Sequence, residues 1–333
     1  MASYRLGSKG TEVSRIQQRL KEEGLYLGPV DGDFGGGTEA AVRVFQAKEG
    51  LEVDGNVGPI TWKALFAQEI LAPSILDKPL NHRSLALTGT FETGQAPPEC
   101  FTGLSGDFDG QGISFGVLQW NFGQGSLQPL LREMIDQHDD IVRSIFQDHY
   151  GVLIAALQSD RDALLAFARS IQHSAKHFVF EPWKGMFKSL GRTEEFQEIQ
   201  VRHAANLFNS AINLCAEYGL TSQRAAALMF DIKVQNGSIS NQVKHVILQD
   251  FHALPANLSG GDLEVAKMRI VANRRAEAAN PRWIEDVRAR KLCLANGGGA
   301  VHGIVYDLDE QFGIGLASLQ AGKATNVAAY TPA

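Results

Sequence analysis

Residues 88–94 read Thr-Gly-Thr-Phe-Glu-Thr-Gly, and residues 106–121 read Gly-Asp-Phe-Asp-Gly-Gln-Gly-Ile-Ser-Phe-Gly-Val-Leu-Gln-Trp-Asn. The first stretch closes an apolar run that contains Leu85, Leu87 and Phe91. The second is rich in glycine, which permits positive φ and a close approach of the backbone to other groups. An acid at the end of an apolar run, followed by a flexible acidic loop, is typical of an active site.

Two carboxyl groups in these stretches are expected to have unlike surroundings. Glu92 follows the apolar run, and partial burial raises the pKa of a carboxyl toward the range of a general acid. Asp109 lies in the glycine-rich loop, with Ser114 and Gln119 as neutral hydrogen-bonding neighbours. Cleavage of a glycosidic bond needs such a pair, since one group protonates the leaving oxygen and the other activates water or stabilises the cation.

A simpler interpretation stays open for the same residues. Asp107 and Asp109 are residue types that favour turns, and Glu92 could be an acid at the end of a helix without any chemistry.

The motifs resemble those of the lysozyme-like superfamily. Glu92-Thr93-Gly94 followed by residues 114–119, Ser-Phe-Gly-Val-Leu-Gln, is similar to lytic transglycosylases and goose-type lysozymes. Residues 109–114 resemble the Asp-Gly-Arg-Gly-Tyr-Thr segment of the family 46 chitosanases, with Gln111 in place of the arginine. The resemblance implies that Glu92 is the acid, Asp109 the base and Ser114 a hydroxyl that helps to place the water. It does not carry over the substrate.

An internal repeat organises the N-terminal part of the chain. Residues 31–38 and 54–61 share the pattern Asp-Gly-x-hydrophobic-Gly-x-x-Thr. Each copy predicts a turn followed by a helix with Thr38 or Thr61 as its N-cap, and apolar spacing predicts an earlier helix before Gly24. The expected core of this three-helix module comprises Leu6, Val13, Ile16, Leu20, Val42, Phe45, Leu51, Trp62 and Leu65.

The repeated module resembles the small peptidoglycan-binding domain of bacterial and phage wall hydrolases. By analogy, residues near the repeated turns are binding candidates, namely Asp31, Gly32, Phe34, Asp54 and Trp62, although Trp62 fits the core better. Some relatives hold zinc, but residues 1–68 contain no histidine or cysteine, so we expect no metal there.

Composition limits the partners. The chain of 333 residues has a formal net charge of −6 and no basic block, so nucleic acid is not expected. No apolar stretch is long enough to cross a membrane, and three scattered cysteines do not form a disulfide framework. The pair His173-x-x-x-His177 has metal-ligand spacing but lacks the acidic neighbour of known motifs. We expect a monomer without metal or cofactor.

The predicted organisation is a peptidoglycan-binding domain at 1–68, a proline-containing linker at 69–84 and a lysozyme-like catalytic domain at 85–333. The fold class is mainly α, with at most a short β-hairpin near residues 101–120. Gln235 and Asn236 end a predicted helix and are candidates to bind sugar hydroxyl or N-acetyl groups, although Asn236-Gly237 also fits a helix C-cap.

The function expected from these features is that of a peptidoglycan-degrading muramidase. It would cleave the β-1,4 bond between N-acetylmuramic acid and N-acetylglucosamine. A lytic transglycosylase with 1,6-anhydro products, a chitosanase-like hydrolase and a non-catalytic wall-binding protein remain alternatives. Because the N-terminus lacks an apolar signal segment, we expect synthesis in the cytoplasm and action on the periplasmic wall after release by a holin or a secretion machine.

Overall fold

The computed structural model describes residues 4–8, 11–67 and 75–319. In chain order the helices are α1 (Thr11–Glu22), α2 (Gly36–Lys48), α3 (Pro59–Phe66), α4 (Leu80–Thr93), α5 (Leu127–Phe146), α6 (Tyr150–Gln158), α7 (Arg161–Ser170), α8 (Trp183–Arg192), α9 (Glu194–His203), α10 (Ala205–Glu217), α11 (Gln223–Asn236), α12 (Asn241–His252), α13 (Gly260–Glu277), α14 (Ile284–Asn296) and α15 (Leu308–Phe312). The strands are β1 (Leu104–Ser105), β2 (Ser114–Phe115), β3 (Trp120–Asn121), β4 (Gly298–Val301) and β5 (Ile304–Asp307). This composition confirms the prediction of a mainly helical protein.

The chain forms two compact units. The first takes its described residues from Met1–Pro73 and Phe101–Ile199, and the second from Ser74–Cys100 and Gln200–Ala333. The predicted boundaries at 68 and 84 stay a prediction, and residues 68–74 of that region lie outside the described part. The predicted linker does contain the start of a regular helix, since α4 begins at Leu80.

The first three helices enclose the predicted module core. Apolar residues three and four apart on α1 pack against residues of α2 and α3. Trp62 is 4% exposed and belongs to this core, as expected, whereas Leu6 is 60% exposed and does not. The remaining core members are Val13, Ile16, Leu20, Tyr26, Phe34, Ala41, Val42, Phe45, Val57 and Leu65.

The repeated threonines differ from their predicted role as N-caps. Gly35 and Gly58 occupy the N-cap positions of α2 and α3. Thr38 and Thr61 lie inside the first turns, where their hydroxyls accept hydrogen bonds from the buried amides of Gln17 and Gln46, respectively.

The rest of the first unit contains β1–β3, α5–α8 and the start of α9. β1, β2 and β3 pair antiparallel in that order, so the predicted hairpin is a three-stranded sheet of short strands. Phe115 of β2 is fully buried and contacts the rings of Phe187 and Phe196. The sheet is thereby fixed to the helical core.

Helices α4, α11 and α14 form the centre of the second unit. Residues 224–232 of α11 are all buried, as are residues 84–91 of α4. A helix that is buried all round must be enclosed by other elements, and α14 also packs on the antiparallel hairpin β4–β5. This hairpin was not predicted, because the only β-structure expected was a short hairpin near residues 101–120.

None of the described helices is both long and apolar enough to span a bilayer.

Candidate active site

Glu92 lies in the last turn of α4, one residue after the buried Phe91. Gly94 ends the helix with a φ of 67°, and its N–H donates to the carbonyl of Thr90. Because neighbouring helix residues point in different directions, Glu92 turns away from the core that Phe91 enters, and its side chain is 45% exposed. The predicted apolar surroundings of Glu92 are therefore wrong.

The neighbour of Glu92 is a buried cation, Arg290 of α14, whose side chain is 1% exposed. Its Nη1 donates to Oε1 of Glu92 at 2.6 Å. Its Nε and Nη2 donate to the carboxylate of Asp231 at 3.0 and 2.6 Å. The guanidinium also lies 5.3 Å from the centre of the Phe91 ring. One planar fork of donors thus joins a surface carboxylate to one in the core, which an ammonium group could not do with the same geometry.

Asp231 of α11 is fully buried and is the centre of this network. Thr88 Oγ1 donates to its Oδ1 at 3.2 Å, and the Nζ of Lys291 donates to its Oδ2. Burial alone would raise the pKa of this carboxyl, but the charges of Arg290 and Lys291 hold it at about 2. Asp231 is therefore ionised whenever the protein is folded near neutral pH.

Lys291 completes the network. It is fully buried, and its Nζ also donates to Oε1 of Gln235 at 2.7 Å. Burial lowers the pKa of Lys291 to about 8 in spite of the nearby carboxylate of Asp231. Two cations and two carboxylates compensate each other, as buried charges require.

Sequence reasoning missed most of this network. It did not include Asp231 or Lys291 among the candidate site residues. The available signal was Asp231 itself, because it interrupts the apolar run Ala225–Ile232 and a carboxylate there must find a partner. The sequence does not say which partner, since Arg290 comes from a helix about sixty residues later.

The two predicted groove residues at the end of α11 have different surroundings. The side-chain oxygen of Gln235 accepts from Lys291, which connects Gln235 to the network. Asn236 is the last residue of α11, and Gly237 follows as C-cap with a φ of 76°. The Oδ1 of Asn236 is buried and accepts no hydrogen bond from the described residues. A sugar-binding role for either residue stays a prediction.

The acidic loop belongs to the first unit and is stabilised both by its own backbone and by Arg169 of α7. Asp107 Oδ1 accepts from the N–H of Gly112 at 2.8 Å, and its Oδ2 accepts from Arg169 Nε at 2.9 Å. Burial opposes ionisation of Asp107, but these two donors leave its pKa below the ordinary value. Asp109 is exposed, and its Oδ1 accepts from the N–H of Gln111 at 3.1 Å.

Ser114 and Gln119 lie on and beside the small sheet. Ser114 is half-buried and pairs with Ser105 on one side and Asn121 on the other. The Oε1 of Gln119 accepts from the Ser105 hydroxyl at 2.7 Å, and its Nε2 donates to the carbonyl of Gly116 at 2.9 Å. Gln119 therefore holds the sheet and its turn together, and its predicted role in substrate binding is untested.

The predicted binding residues of the module are largely structural. Phe34 is fully buried in the core, so the prediction that it contacts a ligand is wrong. Asp31 and Asp54 each accept from the amide of a buried glutamine, Gln17 and Gln46, at 2.8 Å.

The same glutamines hold the repeated turns from the other side. Their side-chain oxygens accept from the N–H groups of Gly32 and Gly55. In each copy of the repeat, one buried glutamine therefore stabilises the Asp-Gly turn. The sequence pattern did not reveal this role of the glutamines.

An exposed apolar groove lies elsewhere on the module. Leu27, which is 94% exposed, and Val44, which is 54% exposed, line it together with Gly37 and Ala40. The Tyr26 ring packs against Gly28, where a Cβ would meet the ring hydroxyl at 2.5 Å. A side chain at position 28 would therefore displace the Tyr26 ring from this wall of the groove.

Comparison with known proteins assigns the module. Residues 9–65 match the family described as putative peptidoglycan binding domain, which confirms the resemblance seen in the repeat. The spore cortex-lytic enzyme of Bacillus cereus is 51% identical over 59 residues, which are 18% of this chain and 23% of that protein. The N-acetylmuramoyl-L-alanine amidase CwlM of Mycobacterium tuberculosis is 40% identical over 76 residues, 20% of this chain and 19% of the relative. The chain thus spans less than a quarter of the length of either relative.

Solved chitosanase structures are similar over a larger part of the chain. Native chitosanase from Bacillus subtilis MY002 is 18% identical, covers 69% of this chain and 99% of its own, and has a TM-score of 0.42. The chitosanase of Gynuella sunshinyii in complex with chitotetraose is 14% identical, covers 72% and 98%, and has the same TM-score of 0.42. Similarity at this level says nothing about substrate.

Proposed function

We propose that this chain is a cell-wall glycosidase that cleaves the β-1,4 bond between N-acetylmuramic acid and N-acetylglucosamine of peptidoglycan. The observation that carries the proposal is the half-exposed carboxyl of Glu92, held by a guanidinium that is itself fixed in the core by Asp231. The substrate class is supported by the match of residues 9–65 to a putative peptidoglycan binding domain.

Glu92 is the proposed proton donor. Arg290 holds Oε1, while the rest of the half-exposed carboxyl group faces solvent and can meet a glycosidic oxygen. Because the guanidinium is fixed by Asp231, little reorganisation of the donor is needed as the bond breaks.

Asp109 is the proposed second carboxylate, activating the water with help from the Ser114 hydroxyl. A base of this kind leads to inversion at the anomeric carbon and a reducing muramic acid end. One observation favours a second outcome. Asp109 accepts from the N–H of Gln111 within its own turn, so it could serve only to shape the loop. The 6-hydroxyl of the muramic acid would then attack, giving the 1,6-anhydro product of a lytic transglycosylase.

The module is the proposed anchor, acting on the periplasmic wall. Its groove at Leu27 and Val44 offers exposed apolar surface, and holding the chain on the wall raises the local concentration of substrate without adding chemistry.

The test is digestion of purified peptidoglycan with Glu92→Gln beside the wild type. We expect a loss of cleavage of about 10²–10⁴-fold, since a positioned general acid contributes that much. Glu285→Gln is the matched control, because Glu285 is also paired with an arginine of α14 but is 81% exposed. Near-normal cleavage by Glu92→Gln would end the assignment. Mass spectrometry of the fragments separates hydrolysis from transglycosylation, since anhydro products lack one water.

Retention on insoluble wall tests the anchor separately. In the inactive Glu92→Gln background, Leu27→Asp should lower retention, and unchanged retention would place the anchoring surface elsewhere.

A further inference from the structure

Three exposed phenylalanines of the first unit form an aromatic patch. Phe108, Phe178 and Phe180 are 71%, 50% and 40% exposed. The Phe178 and Phe180 rings meet edge to face with centroids 5.5 Å apart, and the Phe108 ring lies 5.1 Å from that of His177. His173 lies 5.1 Å from Phe178 and continues the row. We name this set, Phe108, His173, His177, Phe178 and Phe180, the aromatic shelf.

Two backbone hydrogen bonds hold the turn that carries most of the shelf. The N–H of His173 donates to the carbonyl of Phe178 at 2.9 Å, and that of Phe180 donates to Ile171 at 2.9 Å. In such extended pairing, alternate side chains point to opposite faces. Val179 is therefore inside, at 5% exposure, while Phe178 and Phe180 are both outside.

The acidic loop is locked to this turn. The N–H of Asp107 donates to Oε1 of Gln172 at 2.7 Å, and Arg169 reaches Asp107 from the preceding helix. Gly106 lies so close to the turn that a Cβ would meet the carbonyl oxygen of His177 at 1.8 Å. The loop and the turn therefore present Phe108 and the other shelf rings as one pre-organised surface.

The charged groups around the shelf are of both signs. Lys176 is exposed at the tip of the turn. Asp107 is paired with Arg169, whereas Glu181, whose Oε2 accepts from the N–H of Gly185, and the exposed Asp109 keep their negative charge. The Nδ1 of His173 accepts from the N–H groups of Ala175 and Lys176, which orients its ring and weakens the case for His173 and His177 as a metal pair.

We propose that the aromatic shelf is a saccharide-binding platform for a glycan strand of peptidoglycan. The apolar C–H faces of pyranose rings stack on exposed aromatic rings, and rigid rings lose little entropy on binding. Phe108 precedes Asp109 directly, so a strand that reaches this carboxylate passes over the first ring of the shelf. The choice of glycan in this inference rests on the proposed function. The inference adds the surface that binds this glycan.

The experiment uses the full chain with Phe108→Ala, Phe178→Ala and Phe180→Ala, singly and combined. Binding of a soluble peptidoglycan hexasaccharide is titrated in the Glu92→Gln background, so that cleavage does not interfere, and KM and kcat on soluble glycan strands are measured with Glu92 intact. Each variant should weaken binding and raise KM about two- to tenfold, with kcat little changed. Phe178→Trp should preserve binding. Val152→Ala, at an apolar side chain of the same unit that is 50% exposed, is the control.

The outcomes separate the two proposals. Unchanged binding in all three variants overturns the platform, even if the wild type cleaves wall material. If the wild type binds the glycan but does not cleave it, and the variants lose binding, the platform is supported and the muramidase proposal is wrong. Vesicles containing phosphatidylglycerol are the competing probe. If the variants lose retention on these vesicles but still bind the glycan, the shelf is a lipid contact and the inference is overturned.

Discussion

The two acidic regions of this protein are stabilised in opposite ways. In the second unit, Glu92 and Asp231 are joined through Arg290, and the partners come from helices far apart in the chain. In the first unit, Asp107 and Asp109 lie in one loop and each accepts from a backbone N–H of that loop, although Asp107 is also paired with Arg169. The difference teaches that similar carboxylates can depend on the whole core or on a single turn. Substitutions should therefore have very different costs.

Asp231→Asn is expected to have the largest effect on stability and tests this difference most directly. It leaves Arg290 and Lys291 buried without their carboxylate, and removal of one partner from a buried ion network costs about 3–5 kcal/mol of unfolding free energy. Amide hydrogen exchange should show loss of protection in α11 and α14, with α5 unaffected. If the protection of α11 were unchanged, the network would not stabilise the second unit.

Acid should act on the same network with a smaller effect. The folded pKa of Asp231 is about 2, below the ordinary 3.8, so its pairing contributes stability above pH 3.8 that is lost as the pH falls toward 2. The shift corresponds to about 2 kcal/mol. Urea unfolding between pH 5 and pH 2.5 measures it, and Asp231→Asn should flatten this part of the profile. Asp107, whose pKa is also lowered, contributes in the same direction, so the Asp107→Ala protein serves as the second comparison.

The smallest effects belong to the loop. Asp107→Ala removes the acceptor of Gly112 and the partner of Arg169 and should cost about 1–2 kcal/mol, as for a charge-assisted hydrogen bond. Asp109→Ala, at an exposed side chain with one local bond, should stay within about 0.5 kcal/mol. Thermal unfolding of the two variants gives the comparison. A larger cost at position 109 than at 107 would contradict the local account of the loop.

The module was the most predictable part of the chain. Its repeat and apolar spacing lie within sixty residues, so short-range patterns located three helices and most of the core. The errors there concern side chains. Thr38 and Phe34 were given surface or capping roles, whereas both point into a core organised by Gln17. A pattern of residue types does not distinguish a turn that binds a ligand from a turn that is held by a buried amide.

By itself, the sequence determined the helical class, the module with its family, and the two stretches that contain the candidate carboxylates. These depend on local propensity, spacing and motif, which are properties of neighbouring residues. Only the tertiary structure decided that Glu92 is exposed beside Arg290, that Asp231 and Lys291 are buried behind it, and that three phenylalanines form one shelf. Such pairings join residues from distant parts of the chain, and the charge that compensates a buried carboxylate can come from any element that the fold brings near.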